Sequence, residues 1–417
     1  MQQFKILVFA PWSYGHHPVY LKYLIEYWKK NKPEGSLSIV TLPSFFRNHP
    51  DVIKLTLDIN HQGIQFIPMT EQEEKIIETQ RSGLLRAVNQ YRLIKKYSRK
   101  LNADHILALY FDSCLLPFTF RVNLLCPISG IYFRPTFHYK DLGSPSQGWF
   151  SNLMDKRQII VLKRAMNHPN FHSLFCLDPF VVDPINHLVK SQKYRTAIYL
   201  PDPIRVEGKD SEISITSKNL KQKLKIEPHR RIFLAAGRLA DPGKGTFEVL
   251  KAIQYLPEAV CRNICILLVG QPQQEGQREL DTVLDPIIKK YPIQVIKHYG
   301  FVNDNDLGLY FHMADVILAP YQRHIGMSGI LLSAAAYQKP ALASNYGLMG
   351  AIARKYRIGL AIDSTNPREI ANGMIKLCQE DLSNFIDREK FSQLIQNHSA
   401  EKFSETIFNS IIRHESN

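Results

Sequence analysis

The chain has 417 residues, of which 45% are hydrophobic and 22% charged, with 21 Gly and 24 Pro. This length and composition predict a globular protein of two or three domains and exclude a disordered or collagen-like chain. Its 52 Lys and Arg against 38 Asp and Glu give a formal net charge of +14, which favours anionic partners such as nucleotides, phosphorylated substrates, acidic membrane surfaces or nucleic acid.

The cysteines and the apolar runs indicate where the protein resides. Six cysteines lie mostly within apolar segments and have no CxxC spacing, which predicts buried thiols in a reducing cytoplasm. The apolar run before Pro11 is too short for a signal peptide. The most apolar long window, 106–133, is interrupted by charged residues and prolines, whereas a membrane span needs about 20 nearly uninterrupted apolar residues. We therefore expect a cytoplasmic protein without a transmembrane helix.

The first predicted elements are a strand, a loop and a helix. Residues 5–10 are apolar, Pro11 ends the run, and a helical pattern follows from Pro18. The loop lacks the G-x-G-x-x-G fingerprint, which disfavours a hydride-transfer Rossmann enzyme. Gly15 allows close backbone approach beside two titratable side chains, so Gly15, His16 and His17 are candidate ligand-binding residues. The alternative is a helix-entry turn with solvent-facing histidines.

Six more short apolar runs follow in the first half of the chain. They lie at 37–41, 63–67, 105–109, 130–133, 174–177 and 197–200, with helical stretches between several of them. Strands buried on both faces read as such continuous apolar runs. The pattern therefore predicts a doubly wound parallel sheet covered by helices.

Between two of these runs, residues 84–101 combine six Lys or Arg residues with apolar residues at helical spacing. This spacing predicts a helix with one apolar and one basic face. Such a helix can pack its apolar side on the sheet and expose its basic side, or it can lie on an anionic membrane. Peripheral attachment to the inner face of the cell membrane is therefore a hypothesis. Nucleic-acid binding is not expected, because the aromatic residues are not interleaved with a basic patch.

Two prolines, Pro201 and Pro203, precede a polar stretch at 206–219, where we expect no regular element and place a domain boundary. A second series of strands is then predicted at 231–236, 264–270, 293–299, 316–319, 340–344 and 359–362. The chain is thus predicted to be α/β with two doubly wound, Rossmann-like domains, 1–203 and 204–395.

The most specific segment, 232–245, predicts a strand, a glycine, a short loop and the start of a helix. Arg238 and Lys244 lie six positions apart in it, directly after the strand. Ligands of parallel sheets bind at the carboxyl ends of the strands, where helix N-termini favour anions. A guanidinium and an ammonium at such a place can hold a diphosphate without a metal. The alternative is a surface ion pair with nearby acids.

This segment resembles the "GRL…KG" signature of the GT-B glycosyltransferases, in particular family 4. Further matching segments occur in the expected order at 267–270, 299–302, 310–320 and 339–344, so the resemblance covers most of 231–362. It implies a GT-B architecture, in which the two domains face each other across a cleft. It also implies that Arg238 and Lys244 hold the diphosphate of a donor and that the anomeric configuration is retained.

The resemblance extends to the rest of the donor site. The implied donor-binding residues are Gly237, Arg238, Lys244, Phe301, Gly326, Met327, Ser328, Gly329 and Ser333. The family usually carries two glutamates around the glycine loop, one near the donor sugar and one on the ribose. Here Ile325 and Ser333 occupy those positions, so the ribose contact must be weaker, made by Ser333 or another residue, or absent.

The spacing Asp304-Asn-Asp306 is the D-x-D pattern that another glycosyltransferase fold uses for a divalent cation. We expect these acids to cap a helix instead, because apolar residues at helical spacing follow directly. No other cluster has metal-ligand spacing. No metal and no cofactor are therefore expected.

By the same resemblance, the reacting centre lies after the predicted strand at 130–134, where family members often carry a histidine near the anomeric carbon. Arg134 and His138 are the candidate catalytic residues there. The alternative for Arg134 is an ion pair with Asp112. The last segment, 396–417, is expected to form a helix that crosses back to the first domain.

These expectations describe a metal-independent, retaining glycosyltransferase. It would take a hexose-type sugar from a UDP- or GDP-type nucleotide sugar bound in the second domain. The sugar would pass to a hydroxyl of a saccharide, lipid-linked or small-molecule acceptor bound in the first domain, where Gly15, His16 and His17 are the candidate acceptor-binding residues. Two alternatives remain open: a non-catalytic nucleotide-sugar-binding or scaffold protein with a degenerate site, and a sugar-nucleotide epimerase.

Overall fold

The computed structural model describes residues 4–57, 63–120, 122–138, 142, 149–189, 196–204, 210–272, 274–302, 304–324 and 326–412. The chain divides into two compact units. One comprises Met1–His138, Ser146–Pro203 and Ser399–Asn417, and the other comprises Tyr139–Pro145 and Ile204–His398. The predicted boundaries after residues 203 and 395 compare with changes of unit after Pro203 and His398.

The first unit contains a seven-stranded parallel sheet. Its strands are β1 (Lys5–Ala10), β2 (Ser36–Thr41), β3 (Ile64–Pro68), β4 (His105–Ala108), β5 (Ile128–Tyr132), β6 (Phe171–Cys176) and β7 (Thr196–Tyr199). They are arranged in the order β3-β2-β1-β4-β5-β6-β7. All seven lie within two or three residues of the runs predicted from the sequence.

The side chains of β1 explain why its apolar run is continuous. Leu7 and Phe9 pack into one hydrophobic cluster, whereas Ile6 and Val8 pack into another. Successive side chains of a strand point to opposite faces of the sheet. Both faces are therefore buried, as the doubly wound arrangement requires.

The helices of this unit cover the two faces of its sheet. They are α1 (His17–Asn31), α2 (Pro43–Asn48), α3 (Pro50–Lys54), α4 (Glu71–Thr79), α5 (Gly83–Lys100), α6 (Trp149–Met166) and α7 (Val182–Leu188). Single turns of 3-10 helix occur at Phe111–Ser113, Leu116–Thr119 and Thr136–His138.

The second unit contains a six-stranded parallel sheet. Its strands are β8 (Arg231–Ala236), β9 (Ile264–Gly270), β10 (Gln294–Tyr299), β11 (Val316–Ala319), β12 (Ala341–Ser344) and β13 (Gly359–Ile362), in the order β10-β9-β8-β11-β12-β13. Its helices are α8 (Asp210–Lys223), α9 (Thr246–Ala252), α10 (Glu258–Cys261), α11 (Gln274–Lys290), α12 (Asp304–Met313), α13 (Gly329–Ala336), α14 (Gly347–Lys355), α15 (Pro367–Gln379) and α16 (Arg388–Asn397). Further 3-10 turns lie at Pro242–Lys244, Ile253–Tyr255 and Leu382–Phe385.

The last helix, α17 (Ala400–Ile412), belongs to the first unit and packs against α1. Phe403 lies 4.6 Å from the ring of Tyr20, and Phe408 lies 5.1 Å from the ring of Trp28. Both phenylalanines are at most 2% exposed. Aromatic burial of this kind supplies much of the stability of a helix contact.

One expectation about the boundary is wrong. The polar stretch 206–219 was predicted to lack regular structure, yet α8 begins at Asp210 and packs against α12. The Ser217 hydroxyl lies 3.1 Å from Nδ1 of His312 on α12. Pro201 and Pro203 block a helix only over the residues next to them, and no proline follows before Lys223.

Candidate functional site

Both sheets have a point at which the strand order reverses. In the first unit it lies between β1 and β4, and in the second between β8 and β11. Open α/β sheets bind ligands outside the carboxyl ends of the strands at such a point. Ligands are therefore expected at the loops that follow β8 and β11 and at those that follow β1 and β4.

The loops after β8 and β11 are joined directly. Gly245 has a φ of 73°, and a Cβ built on it would lie 2.0 Å from the carbonyl oxygen of Pro320. The backbone N–H of Gln322 also donates a 2.9 Å hydrogen bond to the carbonyl of Gly243. Only glycine permits both this left-handed backbone and this approach, so the loop with Lys244 is held against the loop after β11.

Lys244 stands at this junction. Its Nζ lies 3.9 Å from the centre of the Tyr321 ring, which is 3% exposed. No acidic side chain pairs with Lys244 in the described part of the chain. The Tyr321 hydroxyl likewise has no hydrogen-bond partner among the described residues. A cation over an aromatic face, without a counter-ion, is available to an anionic ligand.

Arg238 has the alternative partner that the sequence allowed. Its guanidinium lies 3.0 Å from the Asp241 carboxylate, and its side chain is 75% exposed. That carboxylate also accepts a 2.9 Å hydrogen bond from the backbone N–H of Gly243. An exposed ion pair contributes little to the free energy of folding. A diphosphate can therefore replace Asp241 as the partner of the Arg238 guanidinium. Arg238, Lys244 and Tyr321 line one cavity.

The N-terminus of α13 provides a further candidate for anion binding in the second unit. Ser328 is its N-cap residue, is 4% exposed, and has a hydroxyl without a hydrogen-bond partner in the described ranges. Gly326 is buried, Met327 is half-buried and Gly329 is exposed. Free N–H groups at such a helix end favour negative charge.

The remaining predicted donor residues are more scattered. Phe301 follows β10, two strands away from β8, and is 83% exposed. Gly237 is exposed at the end of β8, and Ser333 is half-buried within α13. Ile325 lies outside the described residues. Of the predicted donor residues, Arg238 and Lys244 are the pair that the fold places in one cavity.

In the first unit, Gly15 and His16 lie in the loop after β1, and His17 is the first residue of α1. His16 is exposed and stacks on Tyr20, with ring centres 5.5 Å apart. His17 is 6% exposed, so the alternative of solvent-facing histidines is wrong for this residue. Burial, aided by the neighbouring His16, lowers the pKa of His17 to about 3. The imidazole of His17 is therefore neutral at physiological pH.

Arg134 lies in an exposed position after β5. The Asp112 carboxylate accepts hydrogen bonds from the backbone N–H groups of Phe133 and Arg134, both at 2.9 Å. The expected alternative, an ion pair of the Arg134 side chain with Asp112, is thus replaced by main-chain bonds. Burial raises the pKa of Asp112 to about 6, although these bonds and the Arg134 charge oppose the rise.

His138 ends the loop that begins at Arg134, and it is 3% exposed. Its Nε2 lies 2.9 Å from a carboxylate oxygen of Asp178, which follows β6. Gln158 of α6 fixes the same loop, because its side chain accepts from the N–H groups of Thr136 and Phe137 and donates to the carbonyl of Arg134. The two catalytic candidates therefore differ: Arg134 is open to solvent and His138 is enclosed.

Sequence reasoning missed Tyr321, Asp178 and Gln158. Tyr321 follows the predicted strand at 316–319 by two residues, and Asp178 follows the predicted strand at 174–177 by one residue, so their position at the carboxyl edge was a usable signal. Gln158 lies in a helix and carried no such signal.

Among the described residues, no group of three or more His, Cys, Asp or Glu side chains could hold a metal ion. The D-x-D segment forms the first turn of α12, and its capping role stays a prediction.

Residues 216–398 match the family model described as glycosyl transferases group 1. No curated protein matches the chain. Among solved structures, a glycosyltransferase from Rickettsia africae ESF-5 is 14% identical with a TM-score of 0.65, over 99% of this chain and 100% of that one. WaaG, a glycosyltransferase involved in lipopolysaccharide biosynthesis, is 14% identical with a TM-score of 0.63, over 98% and 99%. An E. coli trehalose-6-phosphate structure bound with UDP-2-fluoro glucose is 13% identical with a TM-score of 0.65, over 98% of each chain.

At these identities the solved structures establish the fold. The predicted GT-B fold class is confirmed, and so is the resemblance on which it was based; membership of family 4 stays a prediction. None of the helices in the described ranges is long and apolar enough to cross a membrane. The chain therefore matches the glycosyl transferases group 1 model over residues 216–398, and its fold of two doubly wound parallel sheets is the GT-B fold.

Proposed function

We propose that this protein is a glycosyltransferase that uses a nucleotide-diphosphate sugar as donor. The observation that carries the proposal is the position of Lys244. Its ammonium lies over Tyr321, without an acidic partner among the described residues, at the point where the strand order of the second sheet reverses. The match of residues 216–398 to a glycosyltransferase family supports the same activity.

In this proposal Arg238 and Lys244 hold the diphosphate of the donor. The Arg238 guanidinium leaves Asp241 and binds phosphate oxygens, and Ser328 donates a further hydrogen bond from the end of α13. Positive charge placed before the reaction stabilises the departing phosphate. These groups can carry that charge without a metal, so we expect activity that is independent of divalent cations.

Transfer with retention needs no protein nucleophile. The bond between the anomeric carbon and the phosphate oxygen breaks, and the acceptor hydroxyl forms its new bond to the same face of that carbon. The acceptor proton passes to the phosphate oxygen that leaves. The donor sugar would be of the UDP or GDP type, and the E. coli neighbour with UDP-2-fluoro glucose bound is compatible with UDP.

The first unit is proposed to bind the acceptor, a saccharide, lipid-linked or small-molecule hydroxyl. Gly15, His16 and His17 follow β1 at the carboxyl edge and are the proposed acceptor residues. Arg134 is exposed and is the better candidate to touch an anionic group. His138 stays a candidate for the donor sugar, which it can reach only if its enclosed side chain becomes accessible.

Two other functions remain as alternatives. A nucleotide-sugar-binding protein without catalysis is favoured by Ile325 and Ser333 where the family usually has glutamates. A sugar-nucleotide epimerase would change the donor without any acceptor. Neither explains the family match better than transfer does, but each predicts a different outcome: donor binding without a product for the binding protein, and a new sugar nucleotide for the epimerase.

The test measures nucleoside diphosphate release from UDP-, GDP-, ADP- and TDP-sugars, with and without pooled saccharide and lipid-linked acceptors. Transfer predicts release that depends on an acceptor, a product with the donor's anomeric configuration by NMR, and activity that persists in EDTA. Donor binding without release supports the binding protein. A new sugar nucleotide formed from the donor alone supports the epimerase.

A further inference from the structure

The basic amphipathic helix expected at 84–101 uses its apolar face inside the first unit. On α5, Tyr91, Leu93, Ile94 and Tyr97 are each at most 9% exposed. From Tyr91 onward the apolar side therefore packs on the protein, whereas Leu84 and Leu85 at the start of the helix are 56% and 51% exposed. The apolar side chains that this region leaves exposed belong mostly to its neighbours.

Large apolar side chains are exposed on α6 and on the loop beside it. Leu153, Ile160 and Phe120 are 53%, 52% and 64% exposed, although residues of this kind are usually buried. The turn Leu116–Thr119, which leads into Phe120, packs against both α5 and α6. These exposed residues therefore lie on adjoining elements of one unit.

Helix geometry places four of the exposed residues of α6 on one stripe. Leu153, Arg157, Ile160 and Arg164 are separated by four, three and four positions, so they follow a single stripe along the helix. The opposite side, represented by Leu162, is fully buried. Apolar and cationic side chains thus alternate along the outer stripe.

The two neighbouring helices α5 and α6 carry a large excess of positive charge. Helix α6 contains four Lys or Arg residues and one acid, and α5 contains six Lys or Arg residues and no acid. Within the described ranges, none of the four α6 cations, Lys156, Arg157, Lys163 and Arg164, has an ion-pair partner. An occupant of this face must therefore supply negative charge as well as apolar contact.

A groove borders the C-terminal half of this stripe. It has a volume of about 470 Å³, and its walls include Phe118, Phe120, Ile160, Lys163 and Arg164. Lys163 and Arg164 lie beside apolar side chains of this groove. Lys and Arg side chains often lay their apolar stems along apolar surface and keep their charged groups in a polar environment. We define the α6 surface as Phe120, Leu153, Arg157, Ile160, Lys163 and Arg164.

We propose that the α6 surface docks on an anionic lipid bilayer. Such a bilayer offers negative headgroups to the cations and a hydrocarbon region to Phe120, Leu153 and Ile160. A protein partner would have to present acids interleaved with an apolar surface to match the same pattern. This interaction goes beyond the proposed function and does not depend on the donor site.

The full-length protein is sedimented with vesicles of equal parts phosphatidylglycerol and phosphatidylcholine, and with vesicles of phosphatidylcholine alone, at low salt. We expect binding to the anionic vesicles and little to the neutral ones. Binding should weaken as salt is raised, because headgroup attraction is screened. Failure of the wild type to bind the anionic vesicles overturns the proposal.

Two double variants separate the charge from the apolar contact. Lys163→Glu/Arg164→Glu should weaken binding by at least about 25-fold, since each cation near an anionic surface contributes about fivefold. Phe120→Ser/Ile160→Ser should weaken it by at least about tenfold and leave its salt dependence unchanged. All four side chains are exposed or at the surface, so circular dichroism should show an unchanged fold.

The control is Ile288→Ser/Lys289→Glu/Lys290→Glu on α11 of the second unit, which removes an apolar side chain that is 42% exposed and reverses two charges. It should retain binding within about threefold of the wild type. Equal losses in the control and the α6 variants would mean that net charge alone drives binding and would overturn the proposal. Sedimentation velocity gives the other contrary result: a dimer that only the α6 variants dissociate would assign the surface to a second copy of the chain.

Discussion

The contact between the loops after β8 and β11 can be tested by adding one methyl group. Gly245→Ala places a Cβ 2.0 Å from the carbonyl oxygen of Pro320, whereas ordinary contacts begin at 3.4 Å, so the loops must separate by about 1.4 Å. The left-handed backbone of Gly245 adds about 1 to 2 kcal/mol and overpacking about 1 to 3 kcal/mol. We expect a loss of about 3 kcal/mol of unfolding free energy and weaker donor binding.

Gly15→Ala is the matched control. Gly15 has a φ of 71° against 73° for Gly245, but a Cβ on Gly15 meets no atom within 4 Å. The control therefore carries the backbone strain without the collision, and we expect it to lose about 1 kcal/mol. The difference between the two variants measures the contact of Gly245 with Pro320.

Urea unfolding followed by circular dichroism measures both variants. All three tryptophans, Trp12, Trp28 and Trp149, belong to the first unit, so their fluorescence follows that unit separately. Gly15→Ala should act on the fluorescence transition, and Gly245→Ala chiefly on the signal that fluorescence does not follow. Equal losses of stability in the two variants would refute the reasoning.

Three further substitutions test other parts of the structure. The pKa of His17 is about 3 in the folded state and 6.5 in the unfolded chain, so between these values only the unfolded state binds the proton. The unfolding free energy should therefore fall by about 1.4 kcal/mol for each pH unit below 6.5. His17→Asn should remove this fall, and the unfolding free energies of wild type and variant should converge by about 2 kcal/mol between pH 6.5 and 5; a constant difference contradicts it. Ser333→Glu restores the residue usual in the family and should tighten nucleotide binding, measured by calorimetry, by about tenfold or more. The control Ser392→Glu should leave the affinity unchanged. An unchanged affinity in Ser333→Glu would mean that residue 333 does not face the ribose. Phe408→Ala should lose about 3 to 5 kcal/mol in tryptophan-detected unfolding, because the buried ring contacts Trp28; a loss under about 1 kcal/mol would show that α17 contributes little to the first unit.

The strands were predictable because their signal is local. Arg231–Ala236 and Val316–Ala319 coincide with the predicted runs, since a strand buried on both faces is a short apolar segment between polar ones. The boundary helix α8 was not predictable in the same way. Its sequence is polar, and its place depends on packing against α12, which is distant in the chain.

The candidate site was predictable in part. Arg238 and Lys244 follow from their position after a strand, and they line one cavity. Lys244 and Tyr321 are 77 positions apart, and their contact requires that the two loops lie close together. Gly245 allows this approach, but a glycine in the sequence does not predict which loop will approach it. The enclosure of His138 by Asp178 is likewise a tertiary contact between residues 40 positions apart.

The α6 surface shows why amphipathic patterns need the structure. Residues 84–101 have the clearer pattern, yet Tyr91 and Tyr97 of that helix are buried. Exposure depends on which face a neighbouring element covers, and the sequence does not state this. Leu153 and Ile160 became candidates only when their solvent exposure was known.

The central claim is that a donor diphosphate binds at Lys244 and Arg238. The most direct measurement is the melting temperature with UDP-, GDP-, ADP- and TDP-sugars, for the wild type, Lys244→Met, Arg238→Met and the control Lys251→Met, which removes an exposed cation paired with Glu248. We expect one donor to stabilise the wild type and the control alike, by about 2.7 kcal/mol at a hundredfold excess over Kd. Either site variant should lose most of this stabilisation. A donor that stabilises all four proteins equally, or no stabilisation of the wild type by any donor, would contradict it.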